Sequence, residues 1–380
     1  MHVAIEALGI DREGGGRVAT LNLLRPLLAL GDDHRYTIWL SAPEPSLEGL
    51  HPRARQMIVP ARNRFAARIA LQRALPYFCR RHAVDVVHFV KNQVVSGTGC
   101  RSIATVYDLT TLRHPEAYPK VDVWYWRYVL PRQYRRLDAI IAISDSTADD
   151  LVRFYDLSRD RIRVVPCGYD PAYRRVGDGR VARVRARYGL DAAPYFIHVG
   201  NLSKKKNLAM LLEAFLQFRA RTGFSGRMVF AGGEYPKGRD ERFFERLAQP
   251  DARESVLLTG SIAQKDLVAL YSGAVAFMFP SLHEGFGLVV LEAMACGTPV
   301  AAHSAGAVRD VVGDAGIVID SPHDVTVWRD AFERLASDEA LRRRLQHAGL
   351  ERAALFSPER SARRTRACYE EIAGVGGPQA

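Results

Sequence analysis

Strand-like and helix-like segments alternate along almost the whole of this chain, and they do so in two series. In the first, VAIEAL, YTIWL, VDVVHFV, SIATVYD, AIIAIS and RIRVVP read as short buried strands, with amphipathic helical stretches between most of them. The rhythm loosens around 167–194, where CGYDPAYRRVGDGR is rich in Gly, Pro and charge, as a domain boundary should be. The second series then offers YFIHVG, RMVFAGG, SVLLTG, VAFMFP and PVAAH as strands and NLAMLLEAFLQFRAR, ERFFERLAQ, VTVWRDAFERLA and LRRRLQHAGLERAALF as helices. Such alternation calls for parallel sheets covered by helices on both faces, and 380 residues exceed one ordinary core. The expected fold is α/β: two Rossmann-like doubly wound domains facing each other across a deep cleft, with ligands at the carboxyl ends of the strands. Within the first domain, AISDSTADDL closes a strand at Ser144 and opens a helix, with Ser146 or Thr147 as its expected cap and Asp149 and Asp150 favouring its positive end.

Composition narrows the class. A hydrophobic fraction of 48% and a charged fraction of 25% belong to a globular chain. No run of about twenty apolar residues is present, so no membrane span is expected. The start, MHVAIEALGI, lacks a basic flank and carries Glu6, which makes it a poor signal peptide. The five cysteines are scattered without metal-ligand spacing, which fits a reducing, cytoplasmic setting. The net charge of +11 points to an anionic partner: nucleic acid, acidic lipid or phosphorylated small molecules. Part of that charge lies in RARQMIVPARNRFAARIALQRALPYFCRRH, residues 53–82. From Arg62 it reads as an amphipathic helix with Phe65, Ile69 and Leu75 among arginines, either a surface helix with one buried face or one resting on an anionic membrane.

The chemistry concentrates in HEGFGLVVLEAMACGTPV, residues 283–300. Gly285 and Gly287 form a tight turn after the VAFMFPS strand, and LVVLEAMAC reads as a helix stopped by Gly297 and Pro299. The junction near Gly287 and Leu288 leaves backbone N–H groups for a phosphate. Glu284 and Glu292, eight residues apart, would be separated by about 12 Å along a helix. Carboxylates sharing one glycosidic bond in hydrolysis lie about 5–9.5 Å apart. The pair therefore suits gripping two parts of a long ligand better than two-carboxylate hydrolysis. The plain structural alternative is a turn cap and an ion pair. A second cluster, Gly200-Asn201-Leu202-Ser203-Lys204-Lys205-Lys206-Asn207, leaves the YFIHVG strand, and its lysines suit a diphosphate without a metal. Gly14, Gly15 and Gly16 follow the first strand, either as a flexible loop or as backbone approaching a ligand. Walker A, GxSxG, HExxH and zinc spacings are missing, so no metal is demanded.

These residues resemble a known family. HEGFGLVVLEAMACGTPV resembles the Glu-x7-Glu motif of family 4 glycosyltransferases, retaining GT-B enzymes that use nucleotide sugars. GGGR, TVYDLTTLRHPEAYP, AIIAISDST, VVPCGYDP, YFIHVGNLSKKKNLAMLLEAF, LTGSIAQKDLVALYSGA and VVGDAGIVID follow in that family's order, over nearly the whole chain. The resemblance implies that Glu284 contacts the donor sugar's hydroxyls and Glu292 the ribose hydroxyls. Backbone at Gly285, Phe286, Gly287 and Leu288 would meet sugar and diphosphate, and Lys206 would offset the leaving diphosphate. The Gly260–Ile262 turn would lie against the base, and Gly15 and Gly16 would close over the donor. Asn201 stands where many relatives have arginine, so Lys204 or Lys205 would supply that charge. Tyr107 stands where many have histidine; with Asp108, Arg113 and His114 it would orient the acceptor, or the group orders a loop.

The resemblance thus implies a metal-independent, retaining glycosyltransferase with no cofactor beyond its donor substrate, expected to be GDP-mannose. Glu284, Lys206 and Asp108 are the expected catalytic residues. The acceptor is expected to be a saccharide or lipid-linked saccharide of surface polysaccharide or lipopolysaccharide synthesis. The enzyme would be cytoplasmic, in peripheral contact with an anionic membrane, and without a nucleic-acid partner. The expected domains are 1–174 for acceptor, 175–356 for nucleotide sugar, and 357–380 as a closing helix that returns to the first domain. The alternatives are a nucleotide-sugar epimerase or hydrolase on the same fold, and a basic nucleic-acid-binding protein, for which no recognisable module is seen.

Overall fold

The computed structural model of the protein describes residues 1–11, 14–60, 64–91, 93–190, 193–234 and 238–374. It divides into two compact units: unit 1 is 1–168 with 357–380, and unit 2 is 169–356.

Unit 1 contains strands β1 (His2–Glu6), β2 (Arg35–Leu40), β3 (Ala54–Ile58), β4 (Val86–Phe89), β5 (Arg101–Val106), β6 (Ala139–Ala142) and β7 (Ile162–Val164). They form one parallel sheet in the order β3-β2-β1-β4-β5-β6-β7. β1 and β4 are buried at every position, as strands covered on both faces must be. β3 was not expected from the sequence, and the reason is physical. It is an edge strand of sequence ARQMI with no fully buried residue, so it carries no apolar run.

Helix α1 (Gly15–Leu28) buries Leu21, Leu24 and Leu27 on one face of this sheet. Helix α2 (Arg64–Arg81) buries Leu71, Leu75 and Phe78 on another cluster while Ile69 stands 62% exposed. Residues 61–63, where this helix was expected to begin, lie outside the described residues. Helix α3 (Asp145–Tyr155) corrects the expected cap. Ser144, not Ser146 or Thr147, is the N-cap, its Oγ accepting the Thr147 N–H at 3.0 Å. Ser144 has the extended backbone a cap needs, whereas Ser146 and Thr147 already lie inside the first turn.

Unit 2 contains β8 (Tyr195–Val199), β9 (Arg227–Ala231), β10 (Val256–Gly260), β11 (Ala276–Phe279), β12 (Val300–His303) and β13 (Ile317–Ile319), parallel in the order β10-β9-β8-β11-β12-β13. Helix α4 (Leu208–Thr222) sets Phe215 and Phe218 against Phe196 of β8 and Phe332. Helix α5 (Leu288–Ala295) follows β11. The short β13 was also not expected as a strand, having three residues of which one is fully buried.

The last helix, α6 (Pro358–Ala373), belongs to unit 1. It buries Ala362, Cys368 and Tyr369 in the α1 cluster, and the Tyr369 hydroxyl bonds His88 Nδ1 at 2.6 Å. In each sheet the strand order reverses once near the centre, between β1 and β4 and between β8 and β11. The carboxyl ends of those strands are where doubly wound sheets bind ligands.

Candidate functional site

In unit 2 the reversal point is built from two loops. Beyond β8 the chain passes Gly200 and Asn201, makes one 3-10 turn at Lys204–Lys206, and enters α4 through Asn207 in the left-handed region. Asn201 Oδ1 accepts the Ser203 hydroxyl at 2.9 Å, which shapes this turn. Lys204 and Lys205 are exposed, whereas Lys206 is only 8% exposed. Beyond β11 the chain runs through Ser281 to Glu284 and is tied to the first loop by the Leu282 N–H, which donates to the Lys205 carbonyl at 2.8 Å. Glu284 Oε1 accepts from Lys206 Nζ and, at 2.7 Å, from the Ser281 hydroxyl. Lys206 Nζ also lies 5.0 Å from the centre of the Phe279 ring. The pair is not sealed: the Lys206 and Glu284 side chains are 10% and 17% exposed.

Two glycines make this possible. Gly287, at φ 90°, starts α5, leaving the first N–H groups of that helix without intrahelical partners. Gly306, at φ 57°, lets the loop after β12 lie against the Glu284 backbone, because a Cβ there would stand 1.9 Å from the Glu284 carbonyl oxygen. Just before Gly287, Phe286 is buried against Phe356, with ring centres 6.0 Å apart, and Gly285 leaves the turn half-buried.

The two glutamates have opposite electrostatics. Burial drives the Glu284 carboxyl upward, but the Lys206 and Lys205 charges, with hydrogen bonds from Lys206 and Ser281, outweigh it and hold the carboxyl below its ordinary value. Glu292, on α5, is pushed up to about 8 by burial and then by the Asp170 charge, against a hydrogen bond from Tyr173. One acid is ionised beside lysines; the other keeps its proton near neutrality. Their partners differ throughout, so the sequence-based inference that they serve different parts of a ligand is compatible with their settings. Farther along the same sheet end, Gly260 closes β10 at φ 66° and its carbonyl accepts the Gly232 N–H at 2.9 Å; Ile262 beyond it is half-buried.

The unit 1 candidates are placed differently. Gly15 and Gly16 are the first turn of α1, and Gly14 precedes them at φ 135°. Asp108 Oδ1 accepts the Thr110 N–H at 2.9 Å, and Arg113 Nε donates to Asp150 Oδ2 at 2.6 Å and its Nη2 to Ser146 Oγ at 3.1 Å. Both residues therefore order the segment after β5. His114 is partly exposed beside Glu116, at 3.5 Å. The Tyr107 hydroxyl is buried and lines a cavity of about 20 Å³ with Thr105, Cys167, Ser361 and Thr365. Burial raises this phenol's pKa. Its inward orientation corrects the expectation that this hydroxyl meets an acceptor.

Comparison with known proteins agrees with this division of the chain. A sequence profile described as Glycosyltransferase Family 4 matches residues 13–173, and one described as Glycosyl transferases group 1 matches residues 183–352. The chain belongs to glycosyltransferase family 4. O-antigen chain mannosyltransferase B of Escherichia coli is 28% identical over 271 residues, covering 71% of this chain and 70% of that one. The serotype-specific mannosyltransferase WbdA of Escherichia coli is 30% identical over 264 residues, 68% of this chain but only 32% of WbdA. D-inositol 3-phosphate glycosyltransferase of Nocardioides is 34% identical over 247 residues, covering 61% and 53%. Among solved structures, sucrose-phosphate synthase from Thermosynechococcus elongatus superposes with a TM-score of 0.81 at 22% identity, covering 99% of this chain and 100% of that one. Anabaena HepE in complex with UDP-glucose gives 0.76 at 17% identity, covering 98% of each. The architecture of this glycosyltransferase is GT-B, made of two Rossmann-like parallel-sheet units.

Three residues of the site were not found from sequence. Ser281 follows an ordinary strand end, and Tyr173 sits in a stretch that reads as a boundary. Gly306 acts only because a loop from another strand packs on Glu284.

Proposed function

We propose that the protein is a retaining, metal-independent mannosyltransferase that moves mannose from GDP-mannose to a saccharide or lipid-linked saccharide of surface polysaccharide or lipopolysaccharide assembly. The observation that carries this reading is the Lys206–Glu284 pair at the strand-order reversal of unit 2, beside the start of α5. The mannosyl assignment draws on the two Escherichia coli mannosyltransferases among its relatives.

In this mechanism the donor's anionic diphosphate takes Lys206 as counter-charge, with Lys205 and the backbone N–H groups at Phe286, Gly287 and Leu288 beside it. Glu284, released from Lys206, accepts the sugar's hydroxyls, and Glu292 takes the ribose hydroxyls. The base lies along Gly260–Ile262. The bond from the sugar's anomeric carbon to the diphosphate oxygen breaks as the acceptor oxygen bonds that carbon on the same face. The departing diphosphate oxygen takes the acceptor's proton, so configuration is kept and no protein base is needed. Lys206 stabilises the charge that grows on the leaving group. Asp108, Arg113 and His114 are the proposed acceptor side, in unit 1.

No helix among the described residues is long and apolar enough to cross a membrane. Peripheral attachment at the cytoplasmic face is part of the proposal, supported by the excess of 53 Lys and Arg over 42 Asp and Glu. A thermal-shift panel of GDP-, UDP- and ADP-sugars tests the donor reading. GDP-mannose is expected to raise the melting temperature, and Glu292→Ala is expected to abolish the rise. No shift with any nucleotide sugar overturns the reading.

A further inference from the structure

A fully buried imidazole lies beside the proposed diphosphate site. His198, the fourth residue of β8, is fully buried. Its ring lies nearly parallel to those of Phe277 and Phe279, at interplanar angles of 17° and 14°. Nδ1 lies 3.0 Å from the Met278 carbonyl oxygen. A carbonyl only accepts, so Nδ1 carries the hydrogen and Nε2 presents a bare lone pair. That Nε2 is buried and has no hydrogen-bond partner among the described residues. Burial, and after it the Lys206 charge, lowers the ring to about 3, so the lone pair persists throughout the physiological range.

The lone pair and Lys206 border the same small space. A Cβ added to Gly200 would stand 3.4 Å from His198 Nε2, 3.4 Å from Lys206 Cε and 3.8 Å from Lys206 Nζ. An ammonium has three N–H donors, and Glu284 takes one of them. An unmet buried acceptor costs free energy in the state that leaves it unmet, so a state in which it is satisfied is favoured by that amount. A diphosphate that draws Lys206 from Glu284 would otherwise leave a buried cation with fewer protein acceptors.

We propose that His198 is a positioning residue for Lys206, its Nε2 receiving one N–H of the ammonium when an anion on the site displaces Glu284. The proposal rests on the donor reading of Lys206, and it goes beyond that reading by assigning a second seat for the lysine. A Cβ at position 200 would touch both the imidazole and the lysine, and the backbone there, at φ 150°, is one that other residues rarely adopt.

The test combines His198→Phe, which retains the ring stacking, with His198→Gln and His198→Asn. Release of GDP is measured with GDP-mannose as donor probe and octyl α-mannoside as acceptor probe. In His198→Phe, kcat is expected to fall about tenfold to a hundredfold, the scale of one hydrogen bond to a charged group, with KM for the donor changed far less. His198→Gln, whose amide oxygen reaches the Nε2 position, is expected to recover most of the rate; His198→Asn, which is shorter, is not. Folding of each variant is followed by its melting curve. The deciding arm is His198→Phe in a Lys206→Ala background, where no further loss is expected because His198 acts through Lys206. The same factor lost in that background, or full activity of a folded His198→Phe, overturns the proposal. Full activity of Lys206→Ala alone instead overturns the donor reading, so the two failures are distinct.

Discussion

Lys206 and Glu284, 78 residues apart in the chain, neutralise each other where the strand order of unit 2 reverses. The same two residues are those proposed to part when a donor arrives, so their mutual attraction opposes donor binding even as it keeps both charges in place. Removing either alone leaves a largely buried charge without its main partner. Glu284→Ala is expected to destabilise unit 2 by about 2–3 kcal/mol, below the range for fully buried pairs because both side chains reach solvent. Lys206→Ala with Glu284→Ala should cost less than the sum of the two singles. Urea unfolding of the four proteins checks this, and strictly additive losses would show the pair to be uncoupled.

Glu292 gives a pH signature. Its carboxyl is raised from 4.5 to about 8 in the folded protein. Between those values the folded chain holds a proton that the unfolded chain has released, so this stability is complete below 4.5 and is lost as the pH rises towards 8. Glu6 in unit 1, raised to about 7 chiefly by burial, acts with the same sign over a lower window. Glu292→Gln is expected to flatten the decline, by up to about 1.4 kcal/mol per pH unit. Melting temperatures of both proteins across this range provide the check.

Nucleotide affinity should move the other way. If ribose hydroxyls donate to Glu292, binding favours the ionised acid and GDP affinity should strengthen as the pH rises from about 6 towards 8. Tyr173→Phe removes a hydrogen bond that lowers this carboxyl's pKa, so the inflection should shift upward. Calorimetric titration with GDP measures both effects; an affinity that is flat in pH would remove Glu292 from the ribose contact.

Gly306→Ala should damage the site without touching a charged group. Its φ of 57° strains any other residue, and the added methyl would strike the Glu284 carbonyl oxygen. A loss of about 1–3 kcal/mol is expected, together with a weaker thermal shift by GDP-mannose. Gly177→Ala, where nothing lies within 4 Å and φ is −71°, should be nearly silent in both measurements.

The membrane proposal is open to a spectroscopic test. Along 120–134, Val121, Trp124 and Tyr128 are 69%, 57% and 48% exposed, with Lys120 and Arg127 exposed near them, and the Tyr125–Val129 turn has π-helical bonding. Trp39 and Trp328 are buried at 4% and 0% exposure, so a blue shift of tryptophan emission on adding anionic vesicles would report chiefly the 124–126 region. The shift should shrink in Trp124→Phe, leaving only the part contributed by the half-buried Trp126, and weaken with salt. Vesicles that leave the emission unchanged would count against this face.

How much could be read from the residues alone follows from what each signal depends on. β1, β4, β8 and β11 are apolar runs buried on both faces, and the sequence marks them plainly. β3 escaped because an edge strand needs no apolar run, and β13 because three residues carry little pattern. The residues point to a cap at Ser146 or Thr147, two or three positions beyond the observed Ser144, since composition identifies a helix start but not which residue still has extended backbone. Lys206 and Glu284 stood out through glycine-rich turns at strand ends. Their direct contact was not legible, because it depends on β8 and β11 being neighbours. The inward turn of Tyr107 was hidden for the same reason: its cavity is closed partly by Ser361 and Thr365 from the far end of the chain.

The return of α6 to unit 1 also sets an order of events during synthesis. Unit 2 is a single uninterrupted stretch that is complete once residue 356 has emerged, whereas His88 in the middle of the first sheet must wait for the Tyr369 hydroxyl. The half of the protein that is made first is therefore finished last. Until then the apolar face that later receives Ala362, Cys368 and Tyr369 stays uncovered, a period in which the nascent chain is open to chaperones and to aggregation.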